Sequence, residues 1–268
     1  MPSDTGIPAR SALLTAWGNS WLAGDAALPE LVRRVTALDD HHVVVGLPGD
    51  GSGAAPDIDR VMTRLRADGL VRLRLVLPAP GDVLGLPPPG VFTQAALAAS
   101  EGVLALRADG AGVGLVPTLT HHGSPFDGTV TSVSWTAFPV TLPGPDPGPF
   151  LHEAEHDLRR GVVQATCALR DLDVARWRPE VADALAALRH QASRGLDDDE
   201  LPGSYPPRAR QVLIQARQLG AVVSLALEDI GGALDAREAS GREQALRELA
   251  RLVRRARVAA YNAYGMPS

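Results

Sequence analysis

The chain has 268 residues, 45% of them hydrophobic and 21% charged, which is the composition of a globular protein with room for two domains. Its formal net charge of −5 excludes a general electrostatic attraction to nucleic acid or to anionic membranes. All 26 basic residues are arginine, which together with the many Ala, Gly and Pro residues indicates a GC-rich bacterial genome.

The cysteine content and the apolar runs favour a cytoplasmic protein. Cys167 is the single cysteine, so an internal disulfide is excluded and no oxidising compartment is indicated. The first residues, MPSDTGIPARS, lack the charged and apolar blocks of a signal peptide. The longest apolar run, LGAVVSLAL, is far shorter than the ~20 residues that a membrane-spanning helix needs.

The first half of the chain mixes helical and extended patterns, which predict an α+β domain over residues 1–141 with a mixed, partly antiparallel sheet. The first two strand patterns flank a helix, an order that suits a parallel crossover. The dipeptide Asp109-Gly110 favours a hairpin turn. The predicted helices are Arg10–Ala23, Pro29–Leu38, Asp57–Asp68 and Gln94–Ser100, and the predicted strands cover residues 41–48, 70–78, 102–116 and 128–138.

Residues 142–150, LPGPDPGPF, are too rich in proline and glycine for a helix or strand and are predicted to link two domains. The remaining residues, 151–268, have helical periodicity and predict an antiparallel bundle of about four helices. The third of these is apolar on nearly every face, so we expect it to be the most buried. The predicted helices are Leu151–Ala175, Pro179–Ser193, Pro207–Asp229 and Ser240–Tyr264.

The stretch FLHEAEHDLRRG contains the H-E-x-x-H spacing of zinc proteases, with His152 and His156 as the two would-be ligands. A helical wheel places a stripe of leucine, alanine and valine on one face of this helix and both histidines far from it. We therefore expect the imidazoles to face water, where a catalytic zinc would lack an enclosed cleft. We interpret the match as accidental, and we expect no metal, no other cofactor and no catalytic residue.

Two predicted strands end in similar loops, VVVGLPGD and RLVLPAPGD, which carry Asp50 and Asp82. If the two strands are parallel neighbours, the carboxylates could approach each other and bind a cation or divide acid and base roles, with Gly49 and Gly51 supplying backbone amides. The alternative interpretation is turn chemistry, in which each aspartate bonds its own backbone.

Two histidine doublets and a tryptophan pair have competing interpretations. Adjacent residues of a strand point to opposite faces, so neither His41-His42 nor His121-His122 easily chelates one metal, although one histidine from each doublet could converge. Partly exposed hydrogen-bonding histidines are the alternative. Trp17 and Trp21 share one helix face, which either packs on the sheet or forms an exposed docking patch.

The last predicted helix places Arg247, Arg251, Arg254 and Arg255 opposite its apolar stripe; we call these four residues the arginine face. Guanidinium groups suit carboxylates or phosphates. The alternatives are a solvated face, or internal pairing with Leu196–Glu200 or with Glu228 and Asp229. We therefore expect a non-catalytic interaction or regulatory protein that binds a protein partner through its bundle, not nucleic acid or membrane. The alternative function is a small-ligand binder or enzyme that uses the loops of Asp50 and Asp82.

Overall fold

A computed structural model describes residues 9–49, 55–124, 128–142, 148–171, 200–228 and 236–265. The chain divides into two compact units. The sheet unit comprises residues 8–148, 197–205 and 264–268, and the helical unit comprises residues 1–7, 149–196 and 206–263. The predicted α+β class is confirmed.

The elements of the sheet unit follow the predicted order. Most boundaries differ by a few residues, but the strand that is predicted to end at residue 116 continues to Ser124. The second helix, for example, ends at Val35 instead of Leu38. The helices are α1 (Arg10–Ala23), α2 (Leu28–Val35), α3 (Ile58–Ala67) and α4 (Val91–Ala99). The strands are β1 (His41–Val45), β2 (Leu70–Val76), β3 (Gly102–Arg107), β4 (Ala111–Ser124) and β5 (Gly128–Thr141).

The five strands form one mixed sheet in the order β1-β5-β4-β3-β2. β1 pairs with β5 in parallel, and the other three pairs are antiparallel. The expectation of a parallel crossover between β1 and β2 is therefore wrong, because these strands lie at opposite edges of the sheet. The partner of β1 is β5, which comes last in the sequence of strands.

Helices cover both faces of the sheet. Residues alternate between the faces of a strand, so Leu73 and Leu75 belong to one face and Leu104 and Leu106 to the other. The first face receives α1, whose Gly18 lies so close that an added Cβ would stand 2.0 Å from Leu73 Cδ1. The second face packs against α4 in a core formed by Val76, Phe92, Ala96, Leu104, Leu106, Val116, Val140 and Leu142.

Strand β2 is buried on both faces over its second half. The run LVRLRLVLP predicts leucines on one face of the strand and Arg72 and Arg74 on the other. Arg74 does lie on the face opposite Leu73 and Leu75, but it is fully buried. The pairing of β2 with β3 shifts between Leu70 and Arg72, which indicates a bulge. The side chain of Asn19 accepts a hydrogen bond from the Leu73 amide at 2.8 Å and donates to the Leu73 carbonyl at 2.9 Å. The amide of Asn19 thus takes the place of a neighbouring strand at this edge.

Two later segments of the chain also belong to the sheet unit, and both reach the carboxyl end of α1. The Oγ atoms of Ser20 and Ser204 are 3.4 Å apart, and the hydroxyl of Tyr264 donates a hydrogen bond to Asp25. The rings of Tyr205 and Tyr264 are in contact, with centroids 5.2 Å apart. We call residues 200–205 and 264–265 the anchor segments.

The described part of the helical unit contains α5 (Leu151–Asp171), α6 (Pro207–Glu228) and α7 (Ala236–Asn262). Among the described helices, α7 packs extensively against both α5 and α6. Gly161 of α5 lies against Leu252 of α7, with an added Cβ 2.2 Å from the leucine Cδ1. The predicted helix Pro179–Ser193 lies outside the described residues. None of the helices in the described ranges has the length and apolar character to cross a membrane.

Candidate functional site

The paired-carboxylate hypothesis for Asp50 and Asp82 depends on β1 and β2 being parallel neighbours. Asp50 and Gly51 lie outside the described residues, and Gly49 adopts a positive φ of 74°. Asp82 is buried and closes a tight turn with Ala79, whose amide and carbonyl bond the backbone of Asp82 at 3.0 and 2.8 Å. The premise of the site is wrong, since β1 and β2 are not neighbours but opposite edges of the sheet.

The histidines of the H-E-x-x-H match are both exposed, as the helical wheel predicts. The buried positions of α5 include Ala154, Leu158 and Ala165, which belong to the predicted apolar stripe. Within the described ranges, no group of three His, Cys, Asp or Glu side chains converges in a way that could hold a metal ion.

Glu155, the fourth residue of the same match, occupies a position that the sequence does not reveal. Glu155 is buried, although His152 and His156 on either side of it are exposed. Its Oε2 accepts a hydrogen bond at 2.6 Å from Nε of Arg208, and its Oε1 pairs with Arg159. The i,i+4 spacing to Arg159 is visible in the sequence, whereas the partnership with α6 is not. Glu155 is therefore a structural contact between α5 and α6.

The two histidine doublets lie on β1 and β4, and β5 runs between these strands. His41, His121 and His122 are exposed, and His121 Nδ1 lies 3.1 Å from Thr131 Oγ1 across the β4–β5 pair. These three histidines match the interpretation as exposed or hydrogen-bonding side chains. His42 differs, because it is buried.

His42 belongs to a buried chain of four side chains, which we call the His42 network. Arg10 donates two hydrogen bonds to Asp39, at 2.9 and 2.7 Å. His42 Nε2 lies 3.2 Å from Asp39 Oδ2, and the indole N–H of Trp135 donates to His42 Nδ1 at 3.2 Å. The network connects the start of α1, the turn before β1, β1 itself and the middle of β5.

The bonding pattern of the network specifies its protonation. An indole N–H is a donor and nothing else, so His42 Nδ1 carries a lone pair and the proton of the neutral ring is on Nε2, facing Asp39. Burial lowers the pKa of His42, and its hydrogen bond to Asp39 opposes this effect without overcoming it. The side chains of His42 and Asp39 are 1% and 0% exposed, so a substrate in solvent does not reach them. The network is suited to holding elements together and not to catalysis.

The tryptophans of α1 are both buried, which overturns the alternative of an exposed docking patch. Their rings are covered by cations from neighbouring helices of the sheet unit. The guanidinium of Arg34 lies 4.9 Å from the Trp17 ring centroid, and that of Arg66 lies 4.7 Å from the Trp21 ring centroid. These stacking contacts add to the packing of α1 against α2 and α3.

Two residues of the arginine face pair with glutamates of the same helix, α7. Arg247 Nη2 lies 2.6 Å from Oε1 of Glu243, and Arg251 is bonded to Glu248 one turn earlier. Arg254 and Arg255 are half-buried. Of the partners that the sequence suggests, residues 197–199 and Asp229 lie outside the described residues.

Two family models match the chain almost end to end. The model described as the N-terminal domain of Rv1486c-like protein matches residues 11–149, and that of the C-terminal domain matches residues 152–258. No solved structure matches the chain.

The relatives of the chain include mycobacterial proteins of matching length. The "uncharacterized protein Rv1486c" of Mycobacterium tuberculosis is 31% identical in an alignment that covers 94% of this chain and 96% of the relative. The "uncharacterized protein ML1804" of Mycobacterium leprae is 31% identical with the same two coverages. The "uncharacterized protein MAV321" of Mycobacterium avium is 30% identical over 80% of this chain and 78% of its own length. These relatives agree with the bacterial origin that the composition indicates.

Proposed function

The chain belongs to the Rv1486c-like protein family, and we propose that it is a cytoplasmic bacterial interaction or regulatory protein without catalytic activity. Its partner is a protein that presents carboxylates to the arginine face of α7. The two-aspartate site is not carried forward, because its premise of neighbouring parallel strands fails.

The observation that carries this proposal is the concentration of positive charge on α7. The helix has seven arginines and three glutamates, whereas the whole chain has a net charge of −5. The side chain of Arg247 is 65% exposed and uses Nη2 for Glu243. A guanidinium has five N–H donors in a planar fork, so Arg247 can receive a second carboxylate without breaking that pair. An acidic partner surface is the complement of such a face.

The test compares partner recovery by the native protein with recovery by a charge-reversed one. The tagged protein is purified from its native host at low and at high salt, in parallel with Arg247→Glu/Arg251→Glu and Arg247→Glu alone. We expect the native protein to recover a stoichiometric acidic protein, less of it at high salt, and the variants to lose it.

Arg33→Glu is the matched control, because Arg33 is 59% exposed and pairs with Glu30 one turn away on α2, as Arg247 does with Glu243. This variant should keep the partner. Thermal unfolding of each variant shows that the fold is intact. Equal recovery by the arginine-face variants and the control, or no stoichiometric protein at all, contradicts the proposal.

A further inference from the structure

Strand β1 is a short edge strand whose inward side is formed by His42 and Val44. It pairs with β5 over five residues, from His41 opposite Ser132 to Val45 opposite Thr136. On its outer edge, the Val44 amide bonds the Pro56 carbonyl at 2.9 Å. His42 is therefore one of two buried side chains that fasten β1 to the sheet.

We propose that His42 is a pH-sensitive switch for strand β1, whose neutral imidazole holds the strand to Trp135 and Asp39 and whose protonation loosens it. Protonation and strand attachment are coupled because both ring nitrogens of His42 already have partners. Nε2 donates to Asp39, and Nδ1 accepts from Trp135. A proton from solvent binds the lone pair of Nδ1, the atom that accepts the indole N–H. Two N–H donors then face each other, and the fully buried indole of Trp135 loses its acceptor.

The charged groups around His42 oppose one another. Asp39, in the turn before β1, favours the protonated form of His42. Its carboxylate already accepts two hydrogen bonds from Arg10 of α1. The positive charge of Arg10 disfavours protonation of His42. On β1 itself, His41 also disfavours the imidazolium. Glu101, the residue before β3, helps to raise the pKa of Arg10. The contribution of β5 to the network is the uncharged indole of Trp135.

The net effect of burial and these charges on the pKa of His42 determines the pH at which strand β1 is loosened. Because burial lowers the pKa of His42 below its ordinary value of 6.5, the neutral ring is retained in the folded protein at neutral pH. Above that ordinary value the folded and unfolded chains are both neutral at this residue, and the network contributes its full stability. The contribution is lost as pH falls below 6.5 toward the lowered pKa. Strand β1 is therefore held to the sheet at neutral pH and loosened in mild acid.

Nuclear magnetic resonance of the whole protein tests the proposal between about pH 8 and about pH 5. Imidazole nitrogen shifts should show the Nε2–H tautomer of His42 at the upper pH and its protonation at the lower. Amide exchange protection of β1, corrected for the intrinsic rate, should fall as pH decreases below 6.5 and should level off once His42 of the folded protein is protonated. The rest of the sheet should retain its protection.

Three variants separate this switch from general acid sensitivity. His42→Gln keeps an acceptor and a donor but does not titrate, so its β1 protection should stay constant over the same range. His41→Gln removes the adjacent exposed histidine of the same strand and should respond as the native protein does. Trp135→Phe removes the indole donor and should move the His42 midpoint to higher pH.

The proposal is overturned if His42 titrates while the β1 amides do not respond. It is also overturned if protection falls evenly over the whole sheet unit, or if His41→Gln abolishes the response. If His42→Gln does not fold, the native titration and the midpoint shift in Trp135→Phe still distinguish these outcomes.

Discussion

Asp39 accepts every hydrogen bond that joins Arg10 and His42 in the buried network of the sheet unit. Burial raises the pKa of Asp39, but the hydrogen bonds and charge of Arg10, with a smaller effect of His42, outweigh burial and hold the pKa below its ordinary value. The carboxylate therefore stabilises the fold at pH values above its ordinary value of 3.8, and this stability is lost as pH falls below it.

Asp39→Asn tests the carboxylate directly. The amide keeps the size of the side chain but leaves the Arg10 guanidinium, whose side chain is 15% exposed, without its anion. We expect the free energy of unfolding at neutral pH to fall by about 3 kcal/mol, the lower end of the range for breaking a buried ion pair. Urea unfolding at neutral and at acid pH measures the loss. Below the ordinary carboxyl pKa the difference between the variant and the native protein should shrink, and a constant difference at all pH values would contradict the assignment.

At the scale of single residues, the sequence predicts exposure better than burial. The outward positions of His152 and His156 follow from the apolar stripe of their own helix. Burial of Glu155 depends instead on Arg208, a residue of another helix. The sequence shows His42 as one half of a histidine doublet, for which exposure is the simple expectation. Its hydrogen-bond donor, Trp135, is distant in the sequence, so the buried position of His42 is not predicted. A periodicity within one element carries no information about such partners.

At the scale of secondary structure, two glycines of β4 allow its neighbours to approach closely. An added Cβ at Gly112 would stand 1.9 Å from the carbonyl oxygen of Ala105 in β3. At Gly114 it would stand 2.3 Å from the Phe92 ring of α4. The first contact is with backbone and the second with the largest apolar side chain of α4, so both positions require the absence of a side chain.

Gly114→Ala is expected to displace Phe92 and weaken the packing of α4 on the sheet. Overpacking of this kind costs about 1–3 kcal/mol. Gly203→Ala is the control, because nothing lies within 4 Å of an added Cβ at that position. Urea unfolding should show a lower midpoint for Gly114→Ala and a native-like one for Gly203→Ala. An unchanged midpoint in both variants would mean that α4 adjusts freely over β4.

Local patterns predict the elements well and their partners poorly. The bounds of α1 and the hairpin turn at Asp109-Gly110 follow from composition and spacing alone. The neighbours of β1 and β2 do not, because an extended run such as HHVVV is compatible with any strand of matching character. The premise of the two-aspartate site is wrong in its strand order, whereas the two strands themselves are assigned correctly.

At the scale of the whole molecule, the sheet unit is not one continuous stretch of chain. The family models divide the chain between residues 149 and 152, whereas the anchor segments, at 200–205 and 264–265, contact α1 inside the sheet unit. Tyr205 is fully buried, so the contact excludes water from its ring.

A chain that ends at residue 148 is therefore expected to be less stable than the sheet unit of the full chain. It lacks the ring contact and the hydrogen bonds that the anchor segments supply at the end of α1. Amide exchange of α1 should be faster in the fragment than in the full chain. Tyr264→Phe in the full chain removes one hydroxyl and should have a smaller effect, about 1 kcal/mol. Equal exchange of α1 in the fragment and the full chain would show that the anchor segments add no stability.

The anchor segments also determine when the sheet unit can complete its contacts during protein synthesis. A ribosome releases a polypeptide from its first residue onward, and a domain made of continuous sequence can fold as soon as it emerges. Here the nascent sheet gains its contact with Tyr264 after α5, α6 and α7 have all been translated. The part of the molecule that is made first is completed last.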